Sequence, residues 1–525
     1  MSVRPAIRRP EQPLLYDAFG KPMALHGAWA GTRNNRNLQR KWDRGIPGSA
    51  DEDLLDDLPT LRGRARQSGR DNPLGAGAVN INTKHVVGTG LSLRPEVDRE
   101  VLAWDETKAT TWQDTTGRLF DMWCRSTACD ATLTQNFWEM QDLAYRSAAD
   151  SGDVLAVFGY RKVPFSPWGT CVRLVEADRI SNKDLILDTP TLCGGVQLDS
   201  FGAAVGYWVQ DQHPGSRLSF GRKGTWTYYP AYGKNGFKRC QHLFIRMRPD
   251  QHRGFPYLST VLEALKDLGE YTDGELRAAV VSGLYTVAVT SPAALDENGT
   301  PIPPAEGTDE LDLGYGASLV LEPGEKLEQV TPGRPNQAFD PFVLAVLRQI
   351  GAALEIPFEI LVQHFTASYS AARAALLELA KFVRRRRAWL AANFCQPIYE
   401  AWLEEAVSTG HVQAPGFFDD PLLRMAYCGA QWDGDSLGVL DPVKEVNAYK
   451  IAVGETFATK EQATAELFGG DYRRNVERRG REIQAEKDSG ITPPPVPGAG
   501  AIQSAQPAAD PAMGQPPAKP KKEAP

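Results

Sequence analysis

Residues 258–284, LSTVLEALKDLGEYTDGELRAAVVSGL, show the apolar spacing of one long helix. The apolar side chains recur every three or four residues, at Leu258, Val261, Leu262, Leu265, Leu268 and Leu276. Charged residues cover the opposite face, and Pro256 lies just before the start, where a helix tolerates proline. At 1.5 Å per residue the helix would run roughly 40 Å. We therefore predict one long helix over residues 258–284 and interpret the rest of the sequence in relation to it.

A second helix follows after a small β module. Residues 285–336 contain strand-like runs and turn signals, including Pro323-Gly324, and predict a β insert. Apolar spacing then predicts a helix from Asp340 to about Leu354. After the polar loop 362–370, VQHFTASYS, a very long helix is expected from Ala371 to about Ala406, kinked by Pro397.

The flanking segments differ in character, and together they predict an α+β fold. Residues 1–60 are polar and indicate a solvated arm, although docking of this arm on a neighbouring chain is an alternative. Residues 61–160 read as broken helices and residues 161–250 as short strands between Gly, Pro and Asp turns. Helical turns are predicted from about 442 to 485. Residues 491–525 contain ten prolines and no aromatic residue, which is typical of a disordered tail.

Composition limits the classes of protein that fit. The chain has 525 residues, a net charge of -7, 42% hydrophobic residues and 23% charged residues, as ordinary globular proteins do. Mild acidity argues against a protein that grips nucleic acid through bulk positive charge. Seven scattered cysteines without a CxxC pair predict reduced thiols. The N-terminus lacks a signal-peptide pattern, and the longest apolar run is too short to span a bilayer, so no membrane association is expected.

Catalytic and metal-binding motifs are missing from the sequence. There is no GxxxxGK[ST] phosphate loop, no HExxH motif, no paired Cys/His spacing for zinc and no GxSxG elbow. The acidic cluster at 51–57 lacks the spacing of a calcium loop and is interpreted as solvated. We therefore expect no enzymatic activity, no cofactor and no metal, and the chain looks like a component of an assembly.

Four consecutive arginines on the predicted long helix are the most suggestive charged feature. Because 3.6 residues make a turn, Arg384, Arg385, Arg386 and Arg387 point to every side of the helix, and at least one must face packed protein. Together with Lys381, they are candidates either for salt bridges within or between chains or for contact with phosphate. The sequence leaves both interpretations open.

Several stretches, in a fixed order, carry a family resemblance. They are 62–95 (RGRARQSGRDNPLGAGAVNINTKHVVGTGLSLRP), 120–158 (FDMWCRSTACDATLTQNFWEMQDLAYRSAADSGDVLAVF), 172–181 (VRLVEADRIS), 207–215 (YWVQDQHPG), 242–283 (HLFIRMRPDQHRGFPYLSTVLEALKDLGEYTDGELRAAVVSG), 357–387 (PFEILVQHFTASYSAARAALLELAKFVRRRR) and 431–472 (QWDGDSLGVLDPVKEVNAYKIAVGETFATKEQATAELFGGDY). Over about 60–490 the chain resembles the lambda-type portal proteins of tailed bacteriophages.

The resemblance implies the portal fold and a division of the chain into named regions. They would be an N-terminal arm (1–60), an α+β wing (61–257), stem helix 1 (258–284), a β clip (285–336), stem helix 2 (337–361), a tunnel loop (362–370), a long wing helix (371–410), a helical crown (411–490) and a disordered tail (491–525). It also implies a ring of twelve subunits at one capsid vertex. Double-stranded DNA would enter through this ring during packaging and leave through it during ejection.

The resemblance also implies sites and partners. The tunnel-loop candidates for lining the DNA channel are Gln363, His364, Thr366, Ser368, Tyr369 and Ser370. The clip candidates for docking a terminase or adaptor are Asp296, Glu297, Asn298, Glu306, Asp309 and Glu310. The expected partners are other copies of the chain, DNA, the terminase large subunit, the major capsid or scaffold protein and a head–tail adaptor. The protein is expected in the virion, and in the host cytoplasm during assembly.

Two other classes of function compete with this interpretation. One is a DNA-processing enzyme of the packaging machinery, such as a nuclease or a motor subunit, and the missing motifs argue against it. The other is a generic capsid or scaffolding protein, which the long helix pair around a β insert disfavours.

Overall fold

The computed structural model describes residues 48–217, 224–234, 236–283, 287–290, 326–329, 338–364, 369–436, 438 and 441–490. The chain divides into two compact units, one ending at Pro442 and the other beginning at Val443. Helices and small antiparallel sheets alternate in separate blocks of the first unit. The predicted α+β class is therefore confirmed.

The first unit begins with three helices, which are α1 (Glu52–Leu55), α2 (Leu58–Asp71) and α3 (Pro73–Val86). Asn72 separates α2 from α3, and its side chain accepts hydrogen bonds from the backbone N–H groups of Leu74 and Gly75. Ala50, Leu54 and Leu58 are buried, and Leu54 and Leu58 belong to the main core. The last residues of the segment expected as an arm, 1–60, therefore contribute to the core, because apolar side chains interrupt the acidic cluster. Residues 1–47 lie outside the described residues.

Further helices and one strand complete the helical layer. They are β1 (Ser92–Pro95), α4 (Arg99–Leu102), α5 (Glu106–Arg125) and α6 (Phe137–Ser151). Asn136 and Glu139 form a capping box at the start of α6. Phe120 and Trp123 of α5 lie 5.7 and 5.6 Å, centroid to centroid, from the ring of Phe137. This aromatic cluster fixes α5 against α6.

Two antiparallel sheets pack beside these helices. Their strands are β2 (Asp153–Tyr160), β3 (Thr170–Glu176), β4 (Leu192–Cys193), β5 (Val196–Leu198), β6 (Ala204–Gln210), β7 (Trp226–Pro230) and β8 (Cys240–Phe244). The orders are β3-β2-β8 and β4-β5-β6-β7. In the first sheet, Leu155 pairs with Val175 on one side and with His242 on the other. The first four residues of β2 are buried, as is typical of a strand covered on both faces.

The long helix predicted at 258–284 forms as a 3-10 turn at Tyr257–Thr260 and then α7 (Leu262–Gly283). The strands β9 (Val287–Thr290) and β10 (Lys326–Gln329) pair with each other, and α8 (Phe339–Leu354) follows. Tyr271 of α7 packs against Phe339 and Phe342 at the start of α8, whereas Tyr257 donates a hydrogen bond to the carbonyl of Leu354 at its end. The two helices are therefore antiparallel.

The segment after α8 turns sharply and then becomes helical again. Glu355 takes a left-handed conformation (φ 57°) and ends α8, Pro357 caps the short α9 (Phe358–Leu361), and α10 runs over Tyr369–Leu390. A π turn at Ala391–Cys395 joins α10 to α11 (Gln396–Ser408). The predicted long helix thus leaves α geometry just before Pro397, whose ring would clash with the carbonyl four residues earlier in a regular α-helix.

The remaining elements fall into both units. In the first unit, α12 (Pro421–Cys428) leads into β11 (Ala430–Asp433), which pairs antiparallel with β1. The second unit contains most of α13 (Pro442–Gly454), together with α14 (Lys460–Phe468) and α15 (Tyr472–Asp488). The segment 411–490, expected as the crown, thus contains residues of the main core and residues of the second unit. Residues 491–525 lie outside the described residues. Among the described helices, none combines the length and the apolarity needed to cross a membrane.

Candidate functional site

The predicted tunnel loop begins immediately after α9. Gln363 takes a left-handed conformation (φ 53°), and the N–H of His364 donates to the carbonyl of Glu359 at 3.1 Å. The side chains of Gln363 and His364 are exposed. Thr366 and Ser368 lie outside the described residues, while Tyr369 and the exposed Ser370 already belong to the first turn of α10. The loop is therefore a short connection between two helices.

Arg387, in the arginine run, packs against other parts of the chain. Its guanidinium donates hydrogen bonds to the carbonyls of Val86 at 2.8 Å, His85 at 3.0 Å and Asp435 at 2.6 Å. Two of these carbonyls lie at the C-terminal end of α3, where helix carbonyls lack partners within the helix. Arg387 therefore joins α10, α3 and the segment after β11.

Three of the other basic residues are exposed, whereas Arg386 is half-buried, as Arg387 is. Arg385 forms an ion pair with Glu355, and this hydrogen bond holds the pKa of Glu355 below its usual range. Arg386 lies over the ring of Phe382, 5.2 Å from its centroid, while Lys381 pairs with Glu378 at 2.6 Å. Arg384 is exposed. Arg387 thus holds other segments of the chain to α10, whereas the side chains of the other four basic residues on this helix remain at least partly exposed.

The clip candidates Asp296, Glu297, Asn298, Glu306, Asp309 and Glu310 lie outside the described residues. The backbone pairing of β9 with β10 brackets the segment that contains them. Strand β10 pairs in register from Lys326 opposite Thr290 to Gln329 opposite Val287. The two ends of that segment are therefore held side by side.

Sequence reasoning missed a buried ionic cluster at the base of α7, made of Arg62, Asp153, His242 and Arg253. Asp153 is completely buried, and its carboxylate accepts hydrogen bonds from Arg253 Nε at 2.6 Å and Arg62 Nη2 at 2.9 Å. His242 Nε2 lies 3.2 Å from Asp153 Oδ2. We call these four residues the Asp153 cluster.

Backbone groups complete the coordination of both guanidinium groups. Arg253 donates to the carbonyls of Ile180 at 2.8 Å, Gly194 at 2.6 Å and Ala177 at 2.7 Å. Arg62 Nε donates to the carbonyl of Ser151 at 2.8 Å. The Asp153 cluster therefore ties α2, both sheets and the segment before α7 to one carboxylate.

Burial and charge act in opposite directions on the groups of the Asp153 cluster. Burial alone would raise the pKa of Asp153, but Arg253 and Arg62 hold it well below its usual range. Burial lowers the pKa of Arg62 to about 10 and also lowers the pKa of His242. The cluster thus holds a carboxylate between two guanidinium groups, and the lowered pKa favours a neutral imidazole beside them.

No signal in the sequence could have paired these residues. Asp153 is the first residue of the buried strand β2, and Arg253 lies 100 positions later in a loop. A full strand pairing and a loop have to form before the two side chains meet. The only available hint was a charged residue, Asp153, at the start of an otherwise apolar run.

Large apolar side chains lie exposed on the three long helices. Leu276 is 65% exposed and Val280 59% on α7, Phe342 is 51% exposed on α8, and Leu377 is 57% exposed on α10. The first five residues of the predicted apolar stripe, which lie between positions 258 and 268, are buried, whereas Leu276 extends beyond the core. The outer half of the α7–α8 pair therefore presents an apolar surface.

Two groups of side chains among the described residues have the composition of a metal site. Glu176, Asp178 and His213 form the first, but Arg66 pairs with both carboxylates, so this group is an ion-pair network. Asp51, Cys193 and His252 form the second, beside the Asp153 cluster. Six of the seven cysteines are buried, and Cys193 is the exception.

Comparison with known proteins identifies the family. The model of the lambda family of phage portal proteins matches residues 35–387. The chain is 26% identical over 471 residues to the portal protein of Escherichia phage N15, covering 85% of this chain and 88% of that protein. It is 25% identical to portal protein B of Escherichia phage lambda, covering 85% and 87%. Among solved structures, it is similar to a chain in the neck of an empty gene transfer agent particle, with a TM-score of 0.45 and 15% identity over 78% of this chain and 92% of that chain. The family match spans well over half of the sequence, and the chain belongs to the lambda family of phage portal proteins.

Proposed function

We propose that this portal protein forms a ring of twelve copies at one vertex of a capsid. Double-stranded DNA passes through the ring into the capsid during packaging and leaves through it during ejection. The observation that carries the proposal is the family match over residues 35–387, together with alignments to two portal proteins over 85% of the chain.

The exposed apolar surface supports assembly between copies. A ring is closed by a head-to-tail interface, in which each subunit presents two different surfaces. Leu276, Val280 and Phe342 are exposed on the described part of a single chain and would be covered by neighbouring helices in a ring. Burial of such side chains favours association by about 25 cal/mol per Å² of apolar area.

The regions named from the family are proposed for the elements that match them. The antiparallel α7 and α8 act as the stem, and the segment bracketed by β9 and β10 acts as the clip. The turn after α9 acts as the tunnel loop, and α10 with α11 spans the wing. In this arrangement Gln363 and His364 face the DNA, and the clip docks the terminase large subunit and later a head–tail adaptor. The major capsid or scaffold protein holds the outside of the ring.

The negative net charge of the chain supports the proposal that DNA slides through the channel without binding tightly. Twelve copies at -7 each give a ring of -84. Like charge disfavours tight binding of the phosphate backbone, so a duplex can move without sticking.

We propose that the protein is structural and that a separate motor supplies ATP hydrolysis. Assembly takes place in the host cytoplasm, and the finished ring belongs to the virion.

Negative-stain or cryo-electron microscopy of the purified full chain tests the proposal. Twelve-fold rings with a central hole of a few nanometres are expected. Monomers or closed shells would contradict the portal ring. DNA cleavage or ATP hydrolysis by the same preparation, lost in a variant that still assembles, would favour the competing DNA-processing enzyme.

A further inference from the structure

Two ligand-type side chains, an imidazole and a thiol, converge on one carboxylate oxygen beside the Asp153 cluster. Asp51 Oδ2 lies 2.6 Å from His252 Nδ1 and 3.2 Å from Cys193 Sγ. The ligand atoms of all three residues lie within 4.8 Å of one another. The side chains of Asp51 and His252 are each only 12% exposed. A thiol, an imidazole and a carboxylate therefore share a largely desolvated pocket.

We propose that Asp51, Cys193 and His252 bind a Zn²⁺ ion. Zinc accepts this mixture of sulfur, nitrogen and oxygen ligands, whereas magnesium and calcium prefer oxygen alone. A thiolate and a carboxylate together carry the charge that balances one divalent ion, and the imidazole binds as a neutral group. A water molecule would complete the tetrahedron.

The geometry needs only a local adjustment to admit the ion. With Zn–S near 2.3 Å and Zn–N and Zn–O near 2.0 Å, neighbouring ligand atoms in a tetrahedron lie about 3.3–3.5 Å apart. The Cys193–Asp51 distance is close to this value, and the His252–Asp51 distance has to open by about 0.7 Å. The Asp51 side chain makes no capping hydrogen bond to α1, so this shift of its carboxylate disrupts no helix cap.

The surroundings of the imidazole suit a metal ligand. The backbone of Gly202 hydrogen-bonds to His252, in addition to the Asp51 side chain at Nδ1. A ligating histidine usually donates its second N–H to a carbonyl or carboxylate, which fixes the ring orientation. The backbone N–H of His252 also donates to Asp51 Oδ1 at 2.9 Å. The ring and the carboxylate are therefore positioned from both sides.

The ion would join three distant segments of the chain. Asp51 lies just before α1, Cys193 ends β4, and His252 lies in the loop before α7. The next residue after His252 is Arg253 of the Asp153 cluster, and Gly194, next to Cys193, accepts a hydrogen bond from it. Zinc at this point stabilises the attachment of the N-terminal segment to the base of α7.

Titration of the full-length, chelator-treated protein with Zn²⁺, in competition with a chromophoric chelator, tests the site. One ion per chain is expected, and Cys193→Ser or Asp51→Asn should weaken binding by about 100-fold or more, above the usual effect of losing an outer partner. His213→Gln is the matched control, since it removes a histidine from the other metal-like group. Absence of stoichiometric binding, or loss of binding in His213→Gln but not in Cys193→Ser, would overturn the proposal.

Two measurements on the wild-type protein avoid variants that fail to fold. Co²⁺ in place of Zn²⁺ should give a thiolate-to-cobalt charge-transfer band in the near ultraviolet. Zn²⁺ should also protect Cys193 from alkylation, as measured by mass spectrometry of the peptide, because a bound thiolate is no longer a free nucleophile. Equal alkylation of Cys193 with and without Zn²⁺ would refute the site.

Discussion

Arg253 Nε lies 2.6 Å from Asp153 Oδ2, and neither side chain is more than 2% exposed. Two charges taken out of water at this depth cost several kcal/mol each unless their partners and hydrogen bonds are complete. Here Arg62 adds a second guanidinium, and together with the carboxylate four backbone carbonyls give every guanidinium nitrogen of the two arginines a partner. The contact is therefore stable as long as every member is present.

Asp153→Asn should lower the free energy of unfolding by about 3–5 kcal/mol, because it leaves two buried guanidinium groups without a counter-charge. Chemical denaturation of the full chain measures the change. Glu106→Gln is the matched control, since it breaks the exposed Arg99–Glu106 pair and should cost about 1 kcal/mol or less. If both variants lose a similar amount of unfolding free energy, the buried Asp153 cluster contributes no more to stability than an exposed ion pair does.

The same carboxylate predicts a pH dependence. Its pKa in the folded chain lies well below the value of about 3.9 expected when unfolded. The stability that it contributes is therefore fully present above about pH 4 and is lost as the pH falls through the folded pKa. The stability difference between the wild type and Asp153→Asn should thus shrink when the pH is lowered from 5 to 3. A difference that stays constant over this range would contradict the lowered pKa.

The division of the arginine run predicts unequal effects of substitution. Arg387→Ala leaves three carbonyls unpaired and should cost about 1–3 kcal/mol of stability. Arg385→Ala removes only a half-exposed pair with Glu355 and should cost about 1 kcal/mol or less. Thermal unfolding of the two variants, measured side by side, tests the order. If Arg385→Ala lowers the unfolding temperature more than Arg387→Ala does, Arg387 does not join the segments as described.

The helical part of the fold could be predicted from the sequence to a large degree, because the apolar spacing is local information. The predicted helix from Asp340 to about Leu354 forms over Phe339–Leu354, and α7 ends one residue before the predicted limit of 284. The contacts that hold the helices could not be predicted. Arg387 meets the carbonyl of Val86 across 301 positions, and β1 meets β11 across a still longer separation. Such pairs depend on the completed fold, and nothing in the local pattern specifies them.

The exposed apolar surface predicts a variant that folds but does not assemble. Leu276→Glu should abolish rings while leaving the helix content unchanged, because the side chain is already exposed in a single chain. Lys266→Ala, on the same helix and in an exposed pair with Glu270, is the control and should leave rings intact. Electron microscopy counts the rings, and circular dichroism verifies the fold. Normal rings from Leu276→Glu would exclude this surface from the interface.

Removal of the turn after α9 is expected to affect DNA packaging without affecting ring assembly. Deletion of residues 363–368 should leave rings intact but impair DNA packaging or retention, because the loop is proposed to lie against the duplex and not between subunits. Replacement of the same residues by a Gly/Ser segment of equal length controls for the shortened connection. Packaging yield in a phage complementation assay gives the result. Normal packaging by the deletion variant would remove the loop from the DNA channel.

The position of the Asp153 cluster has a mechanical consequence. Arg253 precedes α7 by nine residues and is held by directional bonds to one carboxylate and three carbonyls. An apolar contact allows side chains to slide over one another at little cost, since it has no preferred direction. Charged hydrogen bonds weaken steeply when they bend. A load applied along α7 would therefore meet a stiff joint at its base, and the long helix would act as a lever clamped at one end.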